Sequence, residues 1–267
     1  MKHSNYFTFA IAGVVLAGAA TLVIGDARER YMAWDVHDMD RPQPPVVEPG
    51  YPGTQEATGK APSDAVVLFD GTSTDAFVKT NGKDPIGWEI NDQGALVITR
   101  GTGSIQTKQP FGDMQLHVEF FVPESESKNK GQGRGNSGIF PMKLYEIQVL
   151  DSKDNPVYPD GMVGALYGQF PPLANSARGI GKWQTYDIIF RRPHFNEDGS
   201  LKKPARMTAL INGILVQDNQ EILGPCVHKK RTSYKAHEDA LPIMFQNHGQ
   251  TVHYRNMWVR ELPPRIE

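Results

Sequence analysis

Gly135-Asn136-Ser137-Gly138-Ile139-Phe140 and, just after it, Tyr145-Glu146-Ile147-Gln148-Val149-Leu150-Asp151 decide how this chain is read. The second segment has strand character. Side chains alternate between faces of a strand, so Tyr145, Ile147 and Val149 point one way and Glu146 and Gln148 the other. A carboxylate and an amide then share one face beside a Gly/Asn/Ser turn. If that face is concave, it can hold a small polar ligand such as a sugar. The competing reading is a solvent-facing strand whose Glu and Gln are simply hydrated, since antiparallel sheets often keep one wet face.

Moving outward, the pattern repeats. Val66-Val67-Leu68-Phe69 runs into the turn signal Asp70-Gly71, and Trp88–Ile90 and Ala95–Thr99 flank Asn91-Asp92-Gln93-Gly94, a hairpin signature. Gly103–Thr107, Met114–Val122, Trp183–Arg191, Leu241–Gln246 and Val252–Glu261 read as further strands, and Arg206–Ile211 and Ile214–Gln217 surround the hairpin turn Asn212-Gly213. Long loops are expected over 123–135 and 151–181. No amphipathic helix of three turns stands out between residues 66 and 261. Short strands without crossover helices predict an all-β antiparallel sandwich, with one face of each sheet in the core.

Charge is nearly balanced, with 28 Lys+Arg against 30 Asp+Glu, so no basic field points to nucleic acid. The 26 glycines and 20 prolines suit many turns. The single cysteine, Cys226, excludes an internal disulfide and a Cys-based zinc cluster, and after Gly224-Pro225 it reads as a small loop residue. Residues 1–27 read as a signal peptide or an uncleaved N-terminal anchor. An apolar run of about 19 residues from Tyr6 to Ile24 precedes the small-x-small site Gly25-Asp26-Ala27. Export to the periplasm, cell envelope or medium is expected, with membrane contact solely through that segment if it is retained. Residues 28–64, with Arg41-Pro42-Gln43-Pro44-Pro45 and Pro49-Gly50-Tyr51-Pro52-Gly53, read as a Pro-rich linker, and residues 65–262 as the folded domain. Tyr31, Trp34 and Tyr51 are the linker aromatics able to dock on that domain.

Leu68-Phe69-Asp70-Gly71, Trp88, Gly135–Ile139, Tyr145–Asp151, Gly164-Ala165-Leu166-Tyr167-Gly168, Gly181-Lys182-Trp183-Gln184, Asn212-Gly213, Gln246-Asn247-His248-Gly249 and Tyr254-Arg255-Asn256-Met257-Trp258 occur in one order. In that order the chain resembles the 3-keto-disaccharide hydrolase domain family, formerly a domain of unknown function, in the concanavalin-like lectin and glucanase superfamily. The resemblance spans about Val66 to Leu262. It implies a two-sheet jelly roll and cleavage of 3-keto-glycosides. One departure is Asn247, where the family often carries an acid.

Related sandwich glucanases carry Glu-x-Asp-x-Glu along one strand, whereas here the strand reads Glu146-x-Gln148-x-Leu150. A direct retaining mechanism needs two carboxyl groups flanking the bond. A 3-keto sugar relaxes that need: the ketone acidifies the C2 hydrogen, so a base, an enolate donor and a leaving-group acid suffice. The expected catalytic residues are Glu146 and His248. Arg134 or Arg255 would stabilise the enolate, Asn136 and Gln148 would bind sugar hydroxyls, Tyr167 would stack on a sugar ring, and Asp151 would position His248, a ligand or a metal. The expected partner is a small-molecule or oligosaccharide substrate. A second reading is a non-catalytic carbohydrate-binding, lectin-like module. No closely spaced ligand set calls for a metal and no cofactor is expected, although a structural calcium at Asp151, Asp154 and Asp160 is compatible with the architecture.

Overall fold

Alternation of apolar residues is cashed out as fifteen short strands, every pair antiparallel, with helical structure limited among the described residues to four single 3-10 turns. The computed structural model describes residues 35–263 except 37, 38 and 42. The expected signal or anchor segment, with Tyr31 and Trp34, lies outside the described residues. The chain divides into two units, residues 1–44 with 265–267, and Pro45–Pro264. Of the first unit the described residues form no helix or strand.

In the second unit one sheet is built in the order β13 (Ile214–Glu221), β12 (Arg206–Ile211), β9 (Trp183–Arg191), β6 (Met114–Phe121), β15 (His253–Glu261), β4 (Leu96–Val97) and β3 (Glu89–Ile90). β1 (Val66–Phe69) pairs with the far half of β15. The second sheet runs β2 (Phe77–Lys79), β5 (Ile105–Phe111), β14 (Leu241–Phe245), β7 (Ser137–Phe140) and β8 (Ile147–Val149). A short ribbon joins β10 (His194–Phe195) to β11 (Leu201–Lys203). The expected all-β sandwich is the fold observed. Two local readings change: Ser137–Phe140 is a strand rather than a turn, with the turn confined to Gly135 at φ +71°, and β2, β10 and β11 were not foreseen.

The core lies between the sheets. Leu116, Val118 and Phe120 of β6, and Tyr186, Ile188 and Phe190 of β9, are buried together with Ile139, Ile147, Val149, Ile243 and Phe245 of the smaller sheet. Each such side chain contributes about 1.5–3 kcal/mol by leaving water. Two tyrosines also cross the core as hydrogen-bond donors: the Tyr186 hydroxyl to the Gln148 carbonyl at 2.5 Å, and the Tyr254 hydroxyl to Ser137 Oγ at 2.7 Å. Ser137 Oγ in turn donates to the Gln246 carbonyl at 2.6 Å. The backbone of β7, β8 and the end of β14 is therefore fastened from behind by polar groups of the larger sheet.

One patch on the outer face of the larger sheet is not wet. His117, Glu119, Arg255 and Asn256 are all buried there. The chain between Tyr51 and Lys60, which form an isolated bridge, covers them: Gly53 donates to Glu119 Oε1 at 3.1 Å, and Gln55 exchanges two hydrogen bonds with the Trp183 backbone. The segment from Pro45, read from sequence as linker, thus belongs to the folded body. Arg255 donates from Nε to Glu119 Oε2 at 2.6 Å, contacts the Thr54 and Ala57 carbonyls and sits 4.0 Å above the Trp183 ring.

Breaking a buried ion pair strands the remaining charge and costs about 3–5 kcal/mol. Arg255→Ala should therefore lower the unfolding free energy by about that amount in urea titrations, and a loss below about 1 kcal/mol, typical of exposed pairs, would contradict the assignment.

Candidate active site

Glu146 and Gln148 stand on the face of the smaller sheet that looks away from the core, because Tyr145, Ile147 and Val149 occupy the other face. Gly138 pairs opposite Gln148 across β7 and β8. A Cβ at Gly138 would come within 2.4 Å of Glu146 Oε1 and 2.6 Å of the Phe140 ring, so glycine is what leaves room for the carboxyl. Together with Asn136, Phe140, Lys143, Tyr167, Cys226, His228, Met244, Gln246 and His248, these residues line a cavity of about 450 Å³.

Glu146 is 5% exposed as a residue, and its carboxyl has neither a hydrogen-bond nor an ion-pair partner among the described residues. Burial alone pushes its pKa from 4.5 to about 8. Its backbone is held on both sides: the amide donates to Cys226 Sγ at 3.3 Å, and its carbonyl accepts from the Tyr167 amide at 3.2 Å. Cys226 is itself pushed up to about 12, chiefly by burial, so its thiol stays protonated and serves as wall rather than nucleophile.

Three amides make a chain along one wall. Gln148 Nε2 donates to Asn136 Oδ1 at 3.1 Å, and Asn136 Nδ2 donates to the backbone and side-chain oxygens of Gln132, both at 2.9 Å. Asn136 is thus occupied on both ends, whereas Gln148 Oε1 remains open to a ligand hydroxyl. On another wall Tyr167 bonds both Tyr158 and His228, each at 3.0 Å, with its ring stacked on the imidazole. Burial, first, and then Tyr158 raise the Tyr167 pKa, so the phenol stays protonated. His248 is exposed at the rim, and Nδ1 lies 2.9 Å from Gln250 Oε1. The neighbouring Asn247 braces that loop through the Thr99 carbonyl and the Gly249 amide, which accounts for an amide at this position.

The structure brings Glu146, Gln148, Asn136, Tyr167 and His248 to one cavity. Three other expected site residues are corrected. Arg255 is buried against Glu119 on the other sheet, as described above. Arg134 Nε and Asp151 Oδ2 lie 2.9 Å apart, and Asp151 also accepts from the Lys153 amide, so the two form a loop clamp outside the cavity. Strand alternation could not show this, since Leu150-Asp151 lies beyond the end of β8. Among the described residues no group of three His, Cys, Asp or Glu side chains is placed to hold a metal ion.

Sequence reasoning missed Lys143, His228 and Gln246. Lys143 enters the cavity from a turn in which two consecutive non-glycine residues, Met142 at φ +54° and Lys143 at φ +63°, are left-handed. Such conformations are costly and collect at functional sites, but nothing in Pro141-Met142-Lys143-Leu144 announces them.

Residues 64–260 match the family of the 3-keto-alpha-glucoside-1,2-lyase-like domain. The chain belongs to this family. A Parabacteroides distasonis protein provisionally assigned as a glycosyl hydrolase is similar in structure, with a TM-score of 0.79 and 40% sequence identity over 85% of this chain and 95% of that one. A second protein of that organism, given the same provisional assignment, shares the fold at 19% identity, with a TM-score of 0.54 over 75% of this chain and 94% of its own. No functionally curated protein matches the chain in sequence. Family membership makes this lyase-like chain a carbohydrate-active protein.

The raised carboxyl carries a stability consequence. Between pH 4.5 and about 8 the folded state holds a proton at Glu146 that the unfolded state releases, so this group lowers stability as pH rises through that window. Glu146→Gln removes the penalty. Its stability should equal that of the wild type near about pH 4 and exceed it by a few kcal/mol, in order of magnitude, near about pH 9. His117, held by Asp187 and Glu119 near 9 despite its burial, also loses its stabilising charge as pH rises, equally in both proteins. Denaturation midpoints that track each other across the whole range would contradict the burial of an unpaired carboxyl.

Proposed function

We propose that the chain cleaves 3-keto-glycosides by removing the C2 proton and expelling the glycosidic oxygen from C1. The observation that carries this reading is a single buried, unpaired carboxyl in a polar cavity of a 3-keto-glucoside lyase-like domain. Net hydrolysis at an unactivated glycoside needs two carboxyl groups about the bond, and Glu146 is the one carboxylate of the cavity's inner wall. With a ketone at C3 the chemistry divides differently.

In its ionised form Glu146 takes the C2 proton, and the C2–H electron pair forms a C2=C3 enolate whose oxygen carries the charge. Lys143, whose Nζ donates to the Thr80 carbonyl at 3.4 Å and keeps further N–H donors, would serve that oxygen in place of the two arginines expected from sequence. The enolate then collapses: C3=O reforms, the C2 electrons make a C1=C2 double bond, and the C1–O bond breaks towards the leaving alcohol. His248, on the rim, supplies the proton to the departing oxygen. Water adding across C1=C2 returns a free 3-keto sugar, so elimination and hydration sum to hydrolysis. Gln148 Oε1 accepts from a sugar hydroxyl, and the Tyr167 ring offers an apolar face beside it. A general base works best with a pKa near the operating pH, which burial gives Glu146 here.

The decisive assay incubates the purified chain with a 3-keto-disaccharide and its unoxidised parent and follows released sugar. Release from the keto substrate alone is expected, with kcat/KM rising with pH through about 8 as Glu146 ionises, and Glu146→Gln lowering it by about 10²–10⁴-fold. Wild-type rates in that variant would end the assignment of Glu146. Release from neither sugar, with measurable binding of both, would favour a lectin-like role for the same cavity.

A further inference from the structure

The Glu146 cavity does not end at its rim. Asn136, Tyr167, His228 and His248 also line an outer cavity of about 650 Å³, whose remaining walls include Tyr158, Asp160 and the consecutive cations Lys229, Lys230 and Arg231. Lys230 and Arg231 border a side pocket of about 390 Å³ as well. A run of three cations on a loop is ordinarily a hydrated surface. Here all three residues, though exposed, line one concavity, and none has an ion-pair partner among the described residues.

The loop is shaped to do this. The Lys230 amide donates to the Val227 carbonyl at 3.1 Å, closing a turn in which Lys229 adopts φ +55°. That left-handed backbone is unfavourable for lysine and persists where surrounding structure imposes it. The Tyr158–Tyr167 edge contact, at 6.4 Å between centroids, and the Tyr167–His228 hydrogen bond fix the floor facing the loop. Asp160 is the lone carboxylate of this outer wall. Like charges gathered in a cleft with low-dielectric walls focus the field and concentrate the opposite charge.

We infer that the outer cavity is a subsite for the leaving-group side of an anionic saccharide, one whose carboxylate or sulfate is met by Lys229, Lys230 and Arg231. The proposal deepens the glycoside-cleaving reading, in which Glu146 marks the place of the 3-keto sugar and the outer cavity receives what departs. A carboxylate and a sulfate present the same acceptor chemistry to lysine and arginine, and the two sources are separated by experiment.

Calorimetric titration of the full chain with unoxidised disaccharides tests it without requiring turnover. The probes carry a neutral, a uronate or a 6-sulfated sugar at the leaving-group position. At low salt at least one anionic probe should bind about tenfold more tightly than the neutral one, the sum of three modest exposed contacts. The preference should fall to about twofold in Lys230→Gln/Arg231→Gln, which leaves Lys229, and vanish at about 1 M salt, where screening acts over about 3 Å. Which anionic probe gains identifies the group. Equal affinities for all three probes, no binding of any, or a preference undiminished by the double substitution would overturn the subsite. Preference without sugar release from a 3-keto substrate would keep the subsite and remove the lyase reading; release without preference would do the reverse.

Discussion

An unpaired carboxyl inside a protein is tolerated where rigid structure leaves it no alternative, and Glu146 is held in that position from every side. Its own strand turns Tyr145 and Ile147 into the core, which forces the intervening side chain out of it. Gly138, paired with Gln148 on the neighbouring strand, leaves the space that the Glu146 carboxyl occupies. Behind the sheet, Tyr186 and Tyr254 tie the Gln148 carbonyl and Ser137 to the larger sheet, so β7 and β8 cannot shift register to relieve the burial. A one-residue slip would exchange core and cavity faces along the whole strand.

The two sheets show what partners do to the same chemical group. Glu119 and Glu146 are both buried glutamates on outward faces of their sheets. Burial opposes the charge on each. At Glu119 the hydrogen bonds from His117, Asn256 and Arg255 outweigh burial and hold the pKa below its ordinary value. At Glu146 nothing offsets burial and the pKa rises. The satisfied cluster, sealed by the chain around Gly53 and Gln55, is structural; the unsatisfied carboxyl is the one that faces a cavity. Perturbed carboxyls in clefts are where acid–base chemistry is found.

Much of this was legible in the residues. Alternation in Met114–Val122, Tyr145–Asp151 and Trp183–Arg191 located two inner strands of the larger sheet and the edge strand of the smaller one, and assigned their faces, because period two follows from backbone geometry and needs no tertiary information. Tyr167, 19 residues beyond Gln148 along a loop, lines the cavity; its place in the long loop had made it a candidate for stacking on a sugar ring. Arg255 was misplaced for one reason. Sequence shows that Arg255 alternates with aromatics, but which sheet face a neighbouring segment covers depends on the path of residues 50–60, and proline-rich composition conceals a docked strap. Lys143 was invisible because its entry depends on two strained dihedrals, and His228 because nothing in the residues of its loop shows that the loop folds back onto Glu146 and Tyr167.

The account turns on the protonation of one side chain, and that can be watched directly. Carbon-13 NMR of the protein labelled at glutamate Cδ, followed through a pH titration, reads each carboxyl separately. One resonance, absent from the Glu146→Gln spectrum, should titrate near 8. If instead the resonance lost in that variant titrates in the ordinary range near about 4.3, the carboxyl is hydrated or paired in solution, and the chemistry assigned to this cavity has no base.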